Sequence, residues 1–248
     1  MNSKIMEIIK SLYCYAKKIL YYILLPIKRI INYNILGFSL NQYSQNGEDG
    51  IVEEIIRRLK IKDGWVVEFG AWNGIYLSNT FRVIEKNKSW NAVYIEGDKS
   101  RFNDLEALSK KINKRIIPIC AFIAPQGENR LDKLLQKTPT PNDFDILSID
   151  VDGIDYQIWQ GINYYRPKIV IIEINSSLDP SIEQIHNPEH NMRGSSFLST
   201  LKLGNRKGYT LICHTGNLIF VRNDFMPMMK IRIRTFDDQL RLYNKNWK

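Results

Sequence analysis

Cysteine is scarce: the 248 residues hold three, Cys14, Cys120 and Cys213, widely spaced and odd in number. That excludes a disulfide framework and the paired ligands of a structural zinc site, and it suits a reducing, cytoplasmic setting. Cys120 and Cys213 fall in apolar, strand-like runs and read as inert core residues. Histidine is as scarce. His186 and His190 are four apart, but Pro188 interrupts the run and no third ligand accompanies them, so neither zinc nor any other resident metal is expected. Long apolar runs are missing too. The longest uncharged apolar run near the amino terminus, residues 19–27, contains Pro26, whereas a spanning helix needs ~20 apolar residues. A signal peptide fits poorly, because lysines flank that run on both sides and no small-residue cleavage site follows. Repeats and low-complexity stretches are absent. So is the G-x-G-x-x-G turn of dinucleotide-binding folds.

Positive charge is present but uneven. The formal net charge is +9, and the first forty residues carry Lys4, Lys10, Lys17, Lys18, Lys28 and Arg29 against Glu7 alone. Ile5, Ile8, Ile9, Leu12 and Tyr13 share one helical stripe, with Lys4, Lys10 and Lys17 largely off it. This pattern predicts an amphipathic helical arm over residues 1–40, whose basic, aromatic part (residues 1–35) would lie on an anionic membrane surface. The competing reading is a helix packed on the domain or on a second subunit. No nucleic-acid-binding motif accompanies the charge, so nucleic acid is not an expected partner. Residues 34–43 have no helical period and read as a linker. Residues 41–248 then form one domain, and 44% hydrophobic content supports a real core.

Residues 65–74 read WVVEFGAWNG. Val66 and Val67 make a short buried strand that ends in an acid, Glu68, and a glycine-spaced turn, Gly70 and Gly74. Residues 92–98, AVYIEGD, make a second strand that ends in Glu96. Ligands of doubly wound sheets bind at the carboxyl ends of strands, and an acid about 20 residues past the glycine turn holds ribose hydroxyls. The two motifs together predict a nucleoside-containing cofactor. Trp72 stands where a second glycine would let backbone approach a pyrophosphate, which disfavours NAD and FAD. Trp72 itself would either stack on the cofactor or pack under the sheet.

The remaining pattern alternates. Helices are expected at 47–59, 79–88, 99–111, 131–137, 156–161 and 195–205. Strands are expected at 65–68, 92–96, 115–121, 145–150 and 168–175, with a closing hairpin at 209–213 and 218–222. Glu53–Arg57 and Glu54–Arg58 would support the first of these helices as i,i+4 pairs. Residues 178–193 form a long polar loop, which in a compact domain is usually functional.

The Glu68-x-Gly70-x-x-x-Gly74 spacing resembles the first motif of class I S-adenosylmethionine (SAM) methyltransferases. With SQNGEDG at 44–50, FDILSIDVDGIDY at 144–156, KIVIIEIN at 168–175 and KGYTL followed by NLIFVR near 207–222, the chain resembles the FkbM-like group of SAM-dependent methyltransferases. The closest resemblance is to a subgroup marked by SQxGEDG, VEFGA, IEGD and SIDxDGxDY, and it covers about residues 41–224. It implies an α/β fold: a Rossmann-like, seven-stranded class I methyltransferase sheet with helices on both faces, here with the amphipathic extension added. It implies SAM as cofactor, held by Gln45, Glu68, Gly70, Ala71, Gly74, Glu96, Gly97 and Asp98, with Ala121 and Phe122 as an adenine wall. Glu48 is a weaker candidate. Glu68 would hold either the turn or the ammonium group of SAM, and backbone N–H groups around residues 73–79 would suit its carboxylate.

A hydroxyl acceptor also needs a base or a metal. Asp150, Asp152 and Asp155 cluster after the fourth strand, and Glu173 and Asn175 end the next. Asp150, Asp152 and the loop residue His190 are the candidate catalytic groups; Asp155, Glu173 and Asn175 are the candidate acceptor-binding groups. The expected reaction is O-methylation of a sugar, glycan or related hydroxylated metabolite, in surface-polysaccharide assembly on the inner face of a membrane. Two rivals stand beside it. Asp150-Val151-Asp152 is a D-x-D of the kind a metal-dependent nucleotide-sugar glycosyltransferase uses. A catalytically inactive SAM-fold module, its pocket blocked by Trp72 and tethered by the basic arm, is the other.

Overall fold

A computed structural model of the full chain describes residues 3–30, 34–113, 115–187, 189 and 194–247. In chain order it contains α1 (Ser3–Ile30), α2 (Glu48–Leu59), β1 (Gly64–Phe69), α3 (Phe81–Lys86), β2 (Trp90–Glu96), α4 (Lys99–Lys111), β3 (Ile116–Cys120) and α5 (Leu131–Leu135). There follow β4 (Ile146–Ile149), α6 (Asp155–Gly161), β5 (Ile169–Glu173), α7 (Phe197–Arg206), β6 (Tyr209–His214), β7 (Asn217–Arg222), α8 (Met226–Met229) and α9 (Phe236–Leu240).

The strands form one sheet in the order β3-β2-β1-β4-β5-β7-β6. β1 to β5 are parallel, and β7 runs antiparallel to both of its neighbours. Each strand is short and apolar on both sides, as a sheet covered on both faces requires. Alternate residues divide between two cores. Val66, Ala92, Tyr94, Ile146 and Ile171 pack with Ile51, Ile55 and Leu105 on one face. Val67, Val93, Leu147, Val170 and Ile172 pack with Leu135, Trp159 and Phe197 on the other.

The chain winds outward from β1 to β3, then returns to the other side of β1 with β4. This reversal opens a crevice at the carboxyl ends of β1 and β4, where ligands of such sheets bind. Register decides what reaches it. Phe69 pairs with Ile95 and Ile149, and Ile149 with Ile172, so Gly70, Glu96, Asp150 and Glu173 emerge together at one edge.

Four expectations need correction. Residues 34–43 are not a bare linker: Ile35–Phe38 forms a 3-10 turn, and Ile35 and Phe38 are buried in the core. Glu53 does not pair with Arg57. Buried Glu54 takes Arg57, Arg58 and Arg29 together, and Glu53 turns to Arg82 and Lys86. Glu48, the weaker cofactor-binding candidate, is engaged away from the crevice, as is Asp49 beside it. Glu48 accepts from Asn46 N, Thr215 Oγ1 and Asn217 Nδ2, and Asp49 accepts from the amides of Gln42, Tyr43 and Ser44. Cys213 is buried, but Cys120 is exposed, because β3 is the edge of the sheet.

The amino-terminal helix is continuous from Ser3 to Ile30 despite Pro26. It docks through its carboxyl-terminal half. Tyr21 and Leu25 are buried, Tyr21 Oη donates to Phe38 O at 3.1 Å, Lys28 Nζ donates to Gly37 O at 2.5 Å, and Arg29 pairs with Glu54 at 3.1 Å. Among the described residues no helix is long and apolar enough to cross a membrane.

Candidate cofactor and acceptor site

A cleft of about 440 Å³ lies at the switch point, within the size range of small-ligand sites. The β1 turn supplies Glu68, Gly70, Ala71 and Trp72, and the β2 end supplies Glu96 and Gly97. Ala121 and Phe122 follow β3, Asp150 and Asp152 follow β4, Glu173 ends β5, and Gln45 reaches in from before α2.

Gly70 sits at φ +71°, and a Cβ there would lie 1.7 Å from the backbone oxygen of Asp150. The turn after β1 therefore lies directly on the turn after β4, which only glycine permits. Three non-glycine residues that line the cleft, Trp72, Leu77 and Asp152, also have positive φ, and such backbone strain concentrates at functional sites.

Glu68 plays the first of its two expected roles, holding the turn. Its buried carboxylate accepts from Ser78 Oγ at 2.7 Å, from Asn79 N at 3.0 Å and from Thr80 Oγ1. Burial pushes its pKa up, against the pull of those donors. Asn79 Nδ2 reaches on to Ser148 of β4. The amides expected to face a ligand carboxylate are taken within the loop: Asn73 Oδ1 accepts from Ile75 N and Tyr76 N, and Glu68 from Asn79 N.

Glu96 is fixed by two amides. Its Oε2 accepts from Trp72 N at 2.8 Å and its Oε1 from Asp98 N at 2.7 Å. Each oxygen keeps lone-pair capacity beyond its amide partner. Beside it, Gly97 leaves room for the Phe122 ring, which a Cβ would meet at 2.3 Å. Phe122 is 74% exposed, an aromatic face presented to the cleft. Trp72 is not packed under the sheet. It lines the cleft, with Arg101 stacked 3.7 Å from its ring centroid and Tyr76 edge-on. It does not fill the cleft, contrary to the blocked-pocket reading.

On the far wall stand Asp150 and Glu173. Register sets them side by side, since Ile149 pairs with Ile172 and each carboxyl is on the next residue. Burial, then the charges of Asp155 and Asp152, pushes Asp150 up to about 7. Burial, then the charge of Asp150, pushes Glu173 up to about 9. Two adjacent carboxylates in a desolvated site cannot both ionise easily, which is why both are raised.

Several predicted site residues fall elsewhere. Gly74 packs beneath the turn against Leu105 and Leu108. Asp98 caps α4, accepting from Ser100 N and Arg101 N. Asp155 is buried and accepts from Val151 N at 2.8 Å and Gly153 N at 2.9 Å, so it shapes the turn that carries Asp150 and Asp152. Asn175 lies beyond the cleft lining and accepts from Ser177 N. Glu48 is tied to the β6–β7 turn. His190 lies outside the described residues, whereas the His186 ring rests about 3.1 Å from a Cβ built on Gly153. Arg101, Tyr76 and Leu77 were not legible as cleft residues, since α4 reads only as a helix and residues 75–80 only as its approach.

The model of the FkbM methyltransferase domain matches residues 86–211. The chain belongs to that family. Its cofactor is accordingly SAM, and a D-x-D glycosyltransferase reading of Asp150 and Asp152 falls away. No curated protein matches in sequence. Among solved structures the chain is similar to a putative caffeoyl-CoA O-methyltransferase from Staphylococcus aureus, at 12% identity over 81% of this chain and 90% of that one, with a TM-score of 0.49. It is also similar to the O-methyltransferase TomG from Streptomyces achromogenes in complex with SAM (13% identity, 74% and 83% covered, TM-score 0.44). A SAM-dependent methyltransferase from Aquifex aeolicus is a third (12%, 68% and 85%, 0.40).

Proposed function

We propose that this member of the FkbM family is an O-methyltransferase acting on a hydroxyl of a glycan or a related hydroxylated metabolite. The observation that carries the reading is the pair of neighbouring carboxyls Asp150 and Glu173, lining the same cleft as Glu96 and Phe122. The residues fit the cofactor. Glu96, held by two amides, would accept the ribose hydroxyls, Phe122 and Ala121 would cover the adenine, and Gln45, Ala71 and Gly97 would close the remaining walls. When bound, SAM supplies an electrophilic methyl group.

Asp150 does the proton chemistry. In its ionised form it would accept the proton of the acceptor hydroxyl, the group that takes the methyl. Burial, then the charges of Asp155 and Asp152, holds Asp150 at about 7, near neutrality, where a general base is most effective. Asp152, exposed at the mouth, would bind acceptor hydroxyls. The deciding experiment is calorimetric titration of the protein and of Glu96→Ala with SAM and S-adenosylhomocysteine, followed by a screen of hydroxylated acceptors. Binding that Glu96→Ala weakens about tenfold or more supports the reading. Folded wild-type protein that takes up neither ligand overturns it, and transfer to nitrogen or carbon acceptors alone overturns the O-specificity.

A further inference from the structure

We propose that α1 is a membrane-surface helix that seats the enzyme on an anionic bilayer through an apolar stripe facing away from the domain. At 100° per residue, Ile5, Ile8, Leu12, Ile19, Ile23 and Ile30 fall within about 60° of one another. All six are exposed, Leu12 and Ile23 by 63% each and Ile30 by 81%. Tyr21 and Leu25, which dock the helix on the domain, lie on roughly the opposite side. The stripe therefore has no partner on its own domain among the described residues, and it runs the length of a helix about 42 Å long. An exposed apolar strip of that extent marks an interaction surface.

Charge and shape select the occupant. Tyr15, 66% exposed, sits at the edge of the stripe, Lys10 and Lys17 lie on the opposite, polar face, and Glu7 is the only acid in the helix. An aromatic-edged apolar face on a helix whose other face is basic suits the headgroup boundary of an anionic leaflet. A second copy suits it less. A 3.5-residue seam through Ile5, Ile9, Leu12, Ala16, Ile19 and Ile23 would meet Pro26 next, and Ile8, Leu20 and Ile27, all exposed, make the stripe wider than such a seam. The docked half of the helix touches the segment that leads to the cleft: Lys18 Nζ donates to Gln42 Oε1 at 2.9 Å, three residues before Gln45. Seating α1 thus fixes the cleft close to the bilayer surface.

The test is flotation of the full chain with vesicles of phosphatidylglycerol and phosphatidylcholine, and with phosphatidylcholine alone. The protein should float with the anionic vesicles and be released by high salt. The double variant Leu12→Glu, Ile23→Glu should bind at least about tenfold less, and Lys10→Glu, Lys17→Glu should lose the preference for the anionic lipid. These side chains are exposed, so both variants should keep the wild-type melting temperature and SAM titration, which separates this proposal from the methyltransferase reading. Absence of flotation, or equal flotation of wild type and Leu12→Glu, Ile23→Glu, overturns it. So does a dimer in sedimentation that the same variant dissociates and that vesicles do not capture.

Discussion

Gly70 is the residue on which the site is most intolerant of change. Alanine there would force a Cβ to 1.7 Å from Asp150 O at a φ of +71°, and the clash is with backbone, which cannot swing aside. Gly70→Ala should cost about 3 kcal/mol or more by urea unfolding, and the protein that still folds should have lost methyl transfer because the Asp150 turn is displaced. Glu96 answers to a different rule, since its change removes a charged acceptor and strands two amides. Glu96→Ala should weaken SAM about tenfold to a hundredfold while changing stability less. Asp150 sets the pH dependence. Its folded pKa stands near 7, and the active form is the ionised one, so kcat/KM should rise with pH through that value and level off above it. Asp150→Asn should lower kcat about a hundredfold or more and abolish that limb of the profile. A profile of Asp150→Asn that keeps the limb would assign the titration to another group.

At the scale of elements, Glu54 joins three pieces of chain. It is buried in α2, pairs with Arg57 and Arg58 of its own helix, and takes Arg29 from α1. Burial opposes its ionisation, yet Arg57, Arg58 and Arg29 together hold its pKa at about 2. A carboxyl depressed in the fold contributes stability above its unfolded value, about 4.3, and that contribution is lost as pH falls toward 2. Glu54→Gln should cost about 2–4 kcal/mol at pH 7, because it leaves buried Arg58 without its counter-charge. The difference between variant and wild type in a chemical denaturation series should shrink below pH 4. The turn from Gly70 to Thr80 is a second such junction. Glu68 gathers its far end, so Glu68→Gln should act on stability, by about 1–3 kcal/mol, more than on the affinity for SAM in the protein that folds.

At the scale of the molecule, the site is maintained at a cost to stability. Asp150 and Glu173 both have pKa values raised by burial and then by neighbouring carboxylates, Asp155 and Asp152 for Asp150 and Asp150 for Glu173. A carboxyl raised in the fold leaves stability intact below its unfolded value, about 4, and erodes it as pH rises toward the folded value. The protein should therefore lose stability between about pH 4 and the folded pKa of the pair, and Glu173→Gln should recover about 1 kcal/mol or more at pH 8, read as a higher melting temperature with lower activity. Binding of SAM acts in the other direction. At a hundredfold excess over Kd it should add about 2.7 kcal/mol to unfolding, and thermal shift measured with Glu96→Ala should show little of that gain at the same concentration.

Much of the architecture was legible in the residues. Short continuous apolar runs, acids at strand ends and glycine-spaced turns pointed to the alternating α/β order, the closing hairpin, and the places of Gly70, Glu96 and Asp150 at strand ends, because each of these is a local pattern; the place of Phe122 came with the family resemblance. The amphipathic arm was equally plain, since a stripe of isoleucines needs only its own periodicity to be seen. What the sequence could not decide depends on neighbours distant along the chain. Glu68 looked like a ligand, but Ser78, Asn79 and Thr80 return to satisfy it. Asp98 and Asp155 looked like site acids, but nearby amides claim them for a helix cap and a turn. Asp150 and Glu173 form a pair only because β4 and β5 lie side by side in register, which makes neighbours of residues far apart in sequence. Cys120 is exposed only because β3 is the sheet edge. Which way the stripe of α1 faces was likewise fixed by Tyr21, Leu25 and Arg29 finding Phe38 and Glu54: periodicity defines a face, and only packing says which face is covered.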